Sequence, residues 1–343
     1  MNVKAFLNTI SNRAFSLPIV ILYVTEGCNL QCITCSYRQA RPNELTLDEI
    51  NDLAESLVSY GLRHIVYSGG EPLLRRDFPQ ICEIFGRYGV KQSVLTNGLL
   101  LEKRLPEIRE FFSEIIVSVD GPDEATHNGI RGIQSFNQIV KGIAAAVPSG
   151  GTSHVSIRTV IQKKNFRRVI DMVDFAKSMN VRRISFLAAD VLSNSFGRDR
   201  SGAMVPDASI MLDEAEVSEF REIVEEMISH RRDEIQTRFV SESPAKLRHL
   251  VQYFEALIGK ADFPVNACNA PMISAVITSI GEVQPCYFLP AYGTIRDARV
   301  HSIANSSHIR AVRSDVRRYK LDRCRTCVCT LRVAPSVALL DRF

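Results

Sequence analysis

Thr46-Leu47-Asp48-Glu49-Ile50 opens a stretch that runs through Gly61-Leu62-Arg63-His64-Ile65-Val66-Tyr67 and ends at Ser68-Gly69-Gly70-Glu71-Pro72. Thr46 with Glu49 three residues on is a capping box, in which each side chain takes up the other residue's backbone N–H. Leu47, Ile50, Leu53 and Leu57 then keep helical spacing, and Gly61 stands where a helix closes. Residues 63–68 have the composition of a strand, and the two glycines break it. One helix followed by one strand is therefore written here, with a glycine loop at the strand's C-terminal end.

Outward from that unit the alternation repeats. An apolar strand at 18–24 precedes it. After it come a helix at 78–88 opened by Asp77 and closed by Gly89, a strand at 90–96, a helix at about 102–112 and a strand at 114–119. A helix follows from a Ser135-to-Gln138 capping box to residue 146, then a strand at 154–161, a helix at 166–179 and a strand at 183–187. Six strand and helix units imply a parallel sheet with right-handed crossovers, closed or nearly closed into a barrel. The fold class is α/β: a partial (β/α)6 TIM-like barrel with a small C-terminal α+β domain. Boundaries fall at 1–17 for an N-terminal extension, 18–210 for the barrel, 211–262 for a helical bridge and 263–343 for the C-terminal domain. Within these, 193–206 is a Ser, Gly and Arg-rich loop, and 212–231 and 244–258 are helical by period.

The chain has 343 residues, 45% hydrophobic and 23% charged, with a net charge of +4. That composition is ordinary for a soluble globular protein. Its longest apolar run, 17–24, is far short of the roughly 20 residues needed to cross a bilayer. Residues 1–16 lack the apolar core and cleavage site of a secretory signal. The basic residues Arg310, Arg313, Arg317, Arg318, Lys320, Arg323 and Arg325 are expected as a solvated helix face or tail rather than a nucleic-acid surface. Nine cysteines, most in clusters with ligand-like spacing, point to a reducing compartment and metal, hence a cytoplasmic location.

Chemistry gathers at the strand ends. Cys28, Cys32 and Cys35 follow strand one, Ser68 to Glu71 close strand two, Asn97 and Gly98 follow strand three, and Asp120 follows strand four. This is the face where α/β barrels place their reactive groups. C-x3-C-x2-C supplies three soft thiolates, and a [4Fe-4S] cube has four irons, so one iron is left for an outside molecule. A zinc site is the competing reading, but zinc favours paired C-x2-4-C units closed by a fourth ligand.

The three-cysteine spacing, Asn29 after the first Cys and Ser68-Gly69-Gly70-Glu71-Pro72 resemble the radical S-adenosylmethionine (radical SAM) enzymes. The resemblance covers about residues 18–190. It implies that the open iron is chelated by SAM, whose reductive cleavage yields a 5'-deoxyadenosyl radical that abstracts hydrogen. It also implies that Ser68, Gly69, Gly70 and Glu71 hold the methionine amino group and that Ser118 and Asp120 touch SAM carboxylate or ribose. A strand-end cap is the plainer role for those last two. Asn97 is open between a left-handed turn residue and a pocket donor. Where many members carry an aromatic residue before the third Cys, this chain has Thr34. His127 and Arg131 lie in a stretch that resembles the same proteins, without a role assigned. Cys82, on the apolar face of the 78–88 helix, is expected in the core.

A second set follows the bridge. Two short strands at 274–278 and 282–285, joined at Gly281, bring Cys268 and Cys286 together, and Cys324 with Cys327 forms a second pincer. Four thiolates close a centre, which reads as an auxiliary [4Fe-4S] cluster, with a zinc ribbon as the alternative. The order resembles the twitch domain, the shortened SPASM extension of radical SAM enzymes. Cys329 is extra: it replaces Cys327 as ligand, ligates nothing, or serves as a spare thiol, the x2 spacing favouring Cys327.

The resemblance implies SAM and two [4Fe-4S] clusters as cofactors and a flavodoxin- or ferredoxin-like electron donor as partner. The expected reaction is hydrogen abstraction from a small molecule, completed as a two-electron oxidation with the auxiliary cluster as electron acceptor. Kept beside it are crosslinking or thioether formation on a ribosomally made peptide, sulfur insertion from the auxiliary cluster, and a non-catalytic zinc or iron-sulfur binding protein. Only about 17 residues precede strand one, which weighs against a leader-peptide-binding domain there.

Overall fold

In the computed structural model, residues 1–147, 154–198 and 208–340 are described. The expected loop at 193–206 lies partly outside them. Six parallel strands form the barrel sheet: β1 (Ile19–Thr25), β2 (His64–Gly69), β3 (Lys91–Thr96), β4 (Phe112–Ser118), β5 (Val155–Ile161) and β6 (Arg183–Ala188). Each neighbours the next in sequence, as short right-handed crossovers require. Among the described residues the sheet does not close. β6 is the last strand on one side, and the free edge of β1 is taken by β7 (Ser274–Ile277), parallel to it with Ile19 opposite Ser274. β8 (Glu282–Gln284) and β9 (Gly293–Thr294) then add antiparallel, so the C-terminal hairpin extends the barrel sheet itself.

Alternation along each strand divides the sheet's faces. Val20, Leu22 and Val24 of β1 join Ile65, Val94, Val117 and Ile157 in the main core under the helices. After the N-terminal helix α1 (Val3–Ile10), helix α2 (Leu47–Ser59) contributes Ile50, Leu53 and Leu57 to it, and its capping box forms as the sequence requires, Glu49 N–H donating to Thr46 Oγ1 at 3.2 Å and Thr46 N–H to Glu49 Oε2 at 2.9 Å. Cys82 is fully buried in the same core. The opposite face carries a smaller apolar cluster of Ile21, Tyr23 and Val276, with Val66, Tyr37 and Tyr287 against it.

Four details depart from sequence expectation. No Ser135 side-chain bond caps the helix Phe136–Ala146, because Asn128 Oδ1 takes its first N–H groups, those of Ser135 at 2.9 Å and Phe136 at 3.0 Å. β4 starts two residues early, since Phe112 already pairs with Gln92. The N-terminal extension, for which the sequence suggests no element, contains the helix Val3–Ile10. The basic stretch is not simply a solvated face: Arg313 is 1% exposed and donates to the carbonyls of Pro271, Ala304 and Asn12. Arg317 donates to the carbonyls of Asn8, Thr9 and Ser11. The last carbonyls of a helix lack partners and carry partial negative charge, so arginines there are satisfied twice over.

Candidate functional site

The three-cysteine loop begins where β1 ends, and its base is drawn together by one carboxylate. Glu44 Oε1 accepts from Thr25 Oγ1 at 3.0 Å, Glu26 N at 2.9 Å and Arg41 N at 3.0 Å. β2 braces the loop from the side: Gly70 N–H donates to Thr25 O and Glu71 N–H to Gly27 O, both at 2.8 Å. A Cβ on Gly70 would stand 2.1 Å from Gly27 O, which explains the glycine in packing terms. The loop's other side rests on the helix Glu124–Arg131, whose last two carbonyls accept from Gln31 N (3.0 Å, Arg131 O) and Ile33 N (3.2 Å, Ile130 O).

The thiols are pre-satisfied in a repeated manner. Cys28 receives the N–H of Leu30, and Cys35 that of Tyr37. Asn97 Nδ2 adds a contact to Cys28 Sγ at 3.9 Å, and Arg131 Nη1 donates to Cys32 Sγ at 3.7 Å. Burial pushes the Cys28 thiol up to about 11, so it stays protonated until a metal replaces the proton.

Glu71 is fully buried and turned inward, where Thr96 Oγ1 (2.7 Å), Asn97 N (2.6 Å) and Leu73 N (3.0 Å) donate to it. Burial pushes its carboxyl up to about 7 despite those donors. In this chain it orders the β3 loop. The left-handed residue there is Gly98, and Asn97 donates to Asn29 Oδ1 at 2.8 Å. Ser118 ends β4 half-buried. Asp120 is buried, with Oδ1 accepting from Val160 N at 2.8 Å and Oδ2 2.8 Å from Arg131 Nε. His127 is buried, and burial pulls its imidazole down to about 3; Nδ1 accepts the Asp120 N–H at 3.3 Å.

The second set converges from distant parts of the chain. Cys268, Cys286, Cys324, Cys327 and Cys329 line one cavity, walled otherwise by Asn266, Phe288, Leu289 and Arg323 among others. Here too the N–H two residues on reaches the sulfur, from Ala270 to Cys268 at 3.5 Å, from Phe288 to Cys286 and from Cys329 to Cys327 at 3.4 Å. Cys329, half-buried near Arg158 and Lys246, lines the same cavity. Arg323, next to Cys324, reaches Asp190 at the end of β6 at 2.7 Å. Lys246 Nζ donates to Asn266 and Thr330, at 3.3 and 3.1 Å.

Among the described residues, no three His, Cys, Asp or Glu side chains converge as a single-ion site. The donor sets suit a larger group: two collections of half-buried thiols with N–H groups directed at sulfur, an arrangement that suits Fe–S clusters. Cys28, Cys32 and Cys35 would hold one cluster, and the second set another. Three rings join the two sites. Tyr23 meets Tyr37, two residues past Cys35, at 6.1 Å and Tyr287, next to Cys286, at 6.2 Å. The Asp190–Arg198 segment also touches both: Phe196 O accepts from Ser36 N at 2.9 Å, and Ser195 Oγ donates to Tyr287 O at 2.7 Å. Sequence reading did not find these aromatics or Asp190, and it marked Arg131 without a role, because their partners are remote in the chain and no spacing marks them.

Residues 22–176 match the model of the Radical SAM superfamily, and residues 268–328 match the SPASM model, an iron-sulfur cluster-binding domain. The chain thus carries a radical SAM domain followed by a SPASM-type domain, as its two cysteine sets suggest. Among curated relatives, Fe-coproporphyrin III synthase of Methanosarcina barkeri is 33% identical over 178 residues, 49% of this chain and 43% of that protein. GTP 3',8-cyclase of Marinobacter nauticus is 30% identical over 192 residues, 54% of this chain and 58% of that one. The chain therefore spans about half the length of these relatives. Among solved structures, native anSMEcpe with bound AdoMet superposes with a TM-score of 0.64 at 17% identity, covering 91% of this chain and 88% of that one, a likeness of fold. No helix among the described residues is long and apolar enough to cross a membrane.

Proposed function

We propose that this chain is a radical SAM enzyme that abstracts hydrogen from a small-molecule substrate and completes a two-electron oxidation through the second cysteine site. Cys28, Cys32 and Cys35 would hold a [4Fe-4S] cluster, which with SAM would supply reductive, radical-generating chemistry. The chain's own part is to hold and shield. Glu44, Gly70 and the Glu124–Arg131 helix set the loop, Glu71 and Asn97 brace its flank, and the inner apolar cluster keeps water from the space beside it.

The observation that carries the oxidation is the run of Tyr37, Tyr23 and Tyr287, which links the two thiol sets by direct ring contact. Sites so joined would suit a shared substrate, and a cluster held by the second set of cysteines would take up an electron as a proton leaves to solvent. Neither relative's name describes a dehydrogenation, and each covers only half of its protein, so the oxidation rests on the site. The test is anaerobic reconstitution. About eight irons per chain, four per cube, with 5'-deoxyadenosine formed from SAM and dithionite, supports the reading. Zinc without labile sulfide, or no SAM cleavage, overturns it.

A further inference from the structure

Among the described residues, Arg131 is a cation that the structure brings onto a first-site sulfur without any role in the sequence pattern. Its guanidinium is buried, with 12% of the side chain exposed, and Nη1 donates to Cys32 Sγ at 3.7 Å while Nε lies 2.8 Å from Asp120. Asp120 is itself fixed, by Val160 N–H at 2.8 Å and by Asn165, which donates to the Asp120 carbonyl at 2.9 Å. The arginine cannot drift, because its own carbonyl accepts from Gln31 N and the next residue is Gly132, where a Cβ would meet Gln31 O at 2.3 Å. Sulfur, guanidinium and carboxylate therefore stand in one fixed row.

Such a row has an electrical consequence. A cluster that accepts one electron gains one negative charge, so a fixed cation at its sulfur favours the reduced form, and hydrogen bonds to the sulfurs act in the same sense. A carboxylate on the far side of that cation offsets part of the effect. Asp120 is buried and only 12% of the Arg131 side chain is exposed, so these charges are screened less than exposed ones. We propose that Arg131 is a positioning residue that raises the reduction potential of the first cluster through Cys32, and that Asp120 sets how much of its charge the cluster feels. No bond is made or broken: the electron comes from the reductant, and the guanidinium keeps its proton throughout.

The proposal rests on the functional reading above, and one experiment separates them. Reconstituted full-length protein is titrated with dithionite, following by electron paramagnetic resonance the reduced signal that changes shape on adding SAM. Arg131→Gln should move the midpoint to lower potential and Asp120→Asn to higher potential, with Arg131→Lys between Arg131→Gln and the parent. A purely structural role would not shift the two in opposite senses. Shifts of the same sign, or none in variants that retain their iron, overturn the proposal. If Arg131→Gln loses its cluster, the upward shift in Asp120→Asn decides alone, and its absence counts against the proposal. A parent protein with no SAM-responsive cluster ends the functional reading instead.

Discussion

The two thiol sites reach the same end by opposite routes. The first takes its cysteines from one loop between Cys28 and Cys35, shaped by neighbours on β1, β2 and one helix. The second collects residues from Cys268 to Cys329 across a hairpin, a short helix and a coil, and needs Asp190 and Lys246 from elsewhere in the chain to hold them. A loop site depends on backbone fit. An assembled site depends on buried polar pairs, each of which is costly to break on one side only.

The sharpest way to test this division is to remove a ligand from each. Cys28→Ala should abolish 5'-deoxyadenosine formation and remove about half of the iron, four atoms of eight for two cubes. Cys286→Ala should lose a similar share of iron yet keep SAM cleavage. If both variants lose cleavage equally, the sites do not divide the labour as proposed.

The supports should differ in kind as well. Asp190→Ala leaves Arg323 without its carboxylate in a largely buried place, a change of about 3–5 kcal/mol for a buried pair, and iron should be lost from the second site before the first. Gly70→Ala drives a Cβ against the Gly27 and Glu26 carbonyls, and should cost about 3 kcal/mol as a forced backbone shift. There the first site's iron should suffer. Denaturant unfolding and metal analysis on each variant check both, and a reversal of which site empties would break the contrast.

Legibility in the sequence follows the same line. The βα alternation, the Thr46 capping box and the cysteine loop were readable because their determinants are local: period, cap and spacing within a few residues. The hairpin that joins Cys268 to Cys286 was readable for the same reason. What stayed hidden depends on contacts between remote segments. That β7 adds to β1 is decided by edge pairing, which leaves no mark in either strand. Arg313 and Arg317 look like a charged surface until the carbonyls of Pro271 and of the N-terminal helix are placed against them. Asn128 displaced Ser135 as a cap because the preceding helix lies alongside, which the local pattern could not show.

The smallest expected effect lies where the two regions meet on the surface. Arg296, beyond β9, bonds Glu49 of α2 at 2.6 Å, and this partner, ahead of the Thr46 N–H, holds the Glu49 carboxyl down at about 2. A carboxyl lowered in the folded state contributes stability above its unfolded value of about 4.3 and loses it as pH falls toward the folded value. The pair is about a third exposed, so screening reduces its worth to about 0.5 kcal/mol. Glu49→Gln should therefore cost about that much at pH 7, and less as pH drops from about 4 to 2. Acid titration of the melting temperature of both proteins, in low salt, checks it: the two curves should converge at the acid end. Curves that stay parallel would show that Glu49 acts through its cap on α2 alone, and that the C-terminal region is held to the barrel by the shared sheet and not by this ion pair.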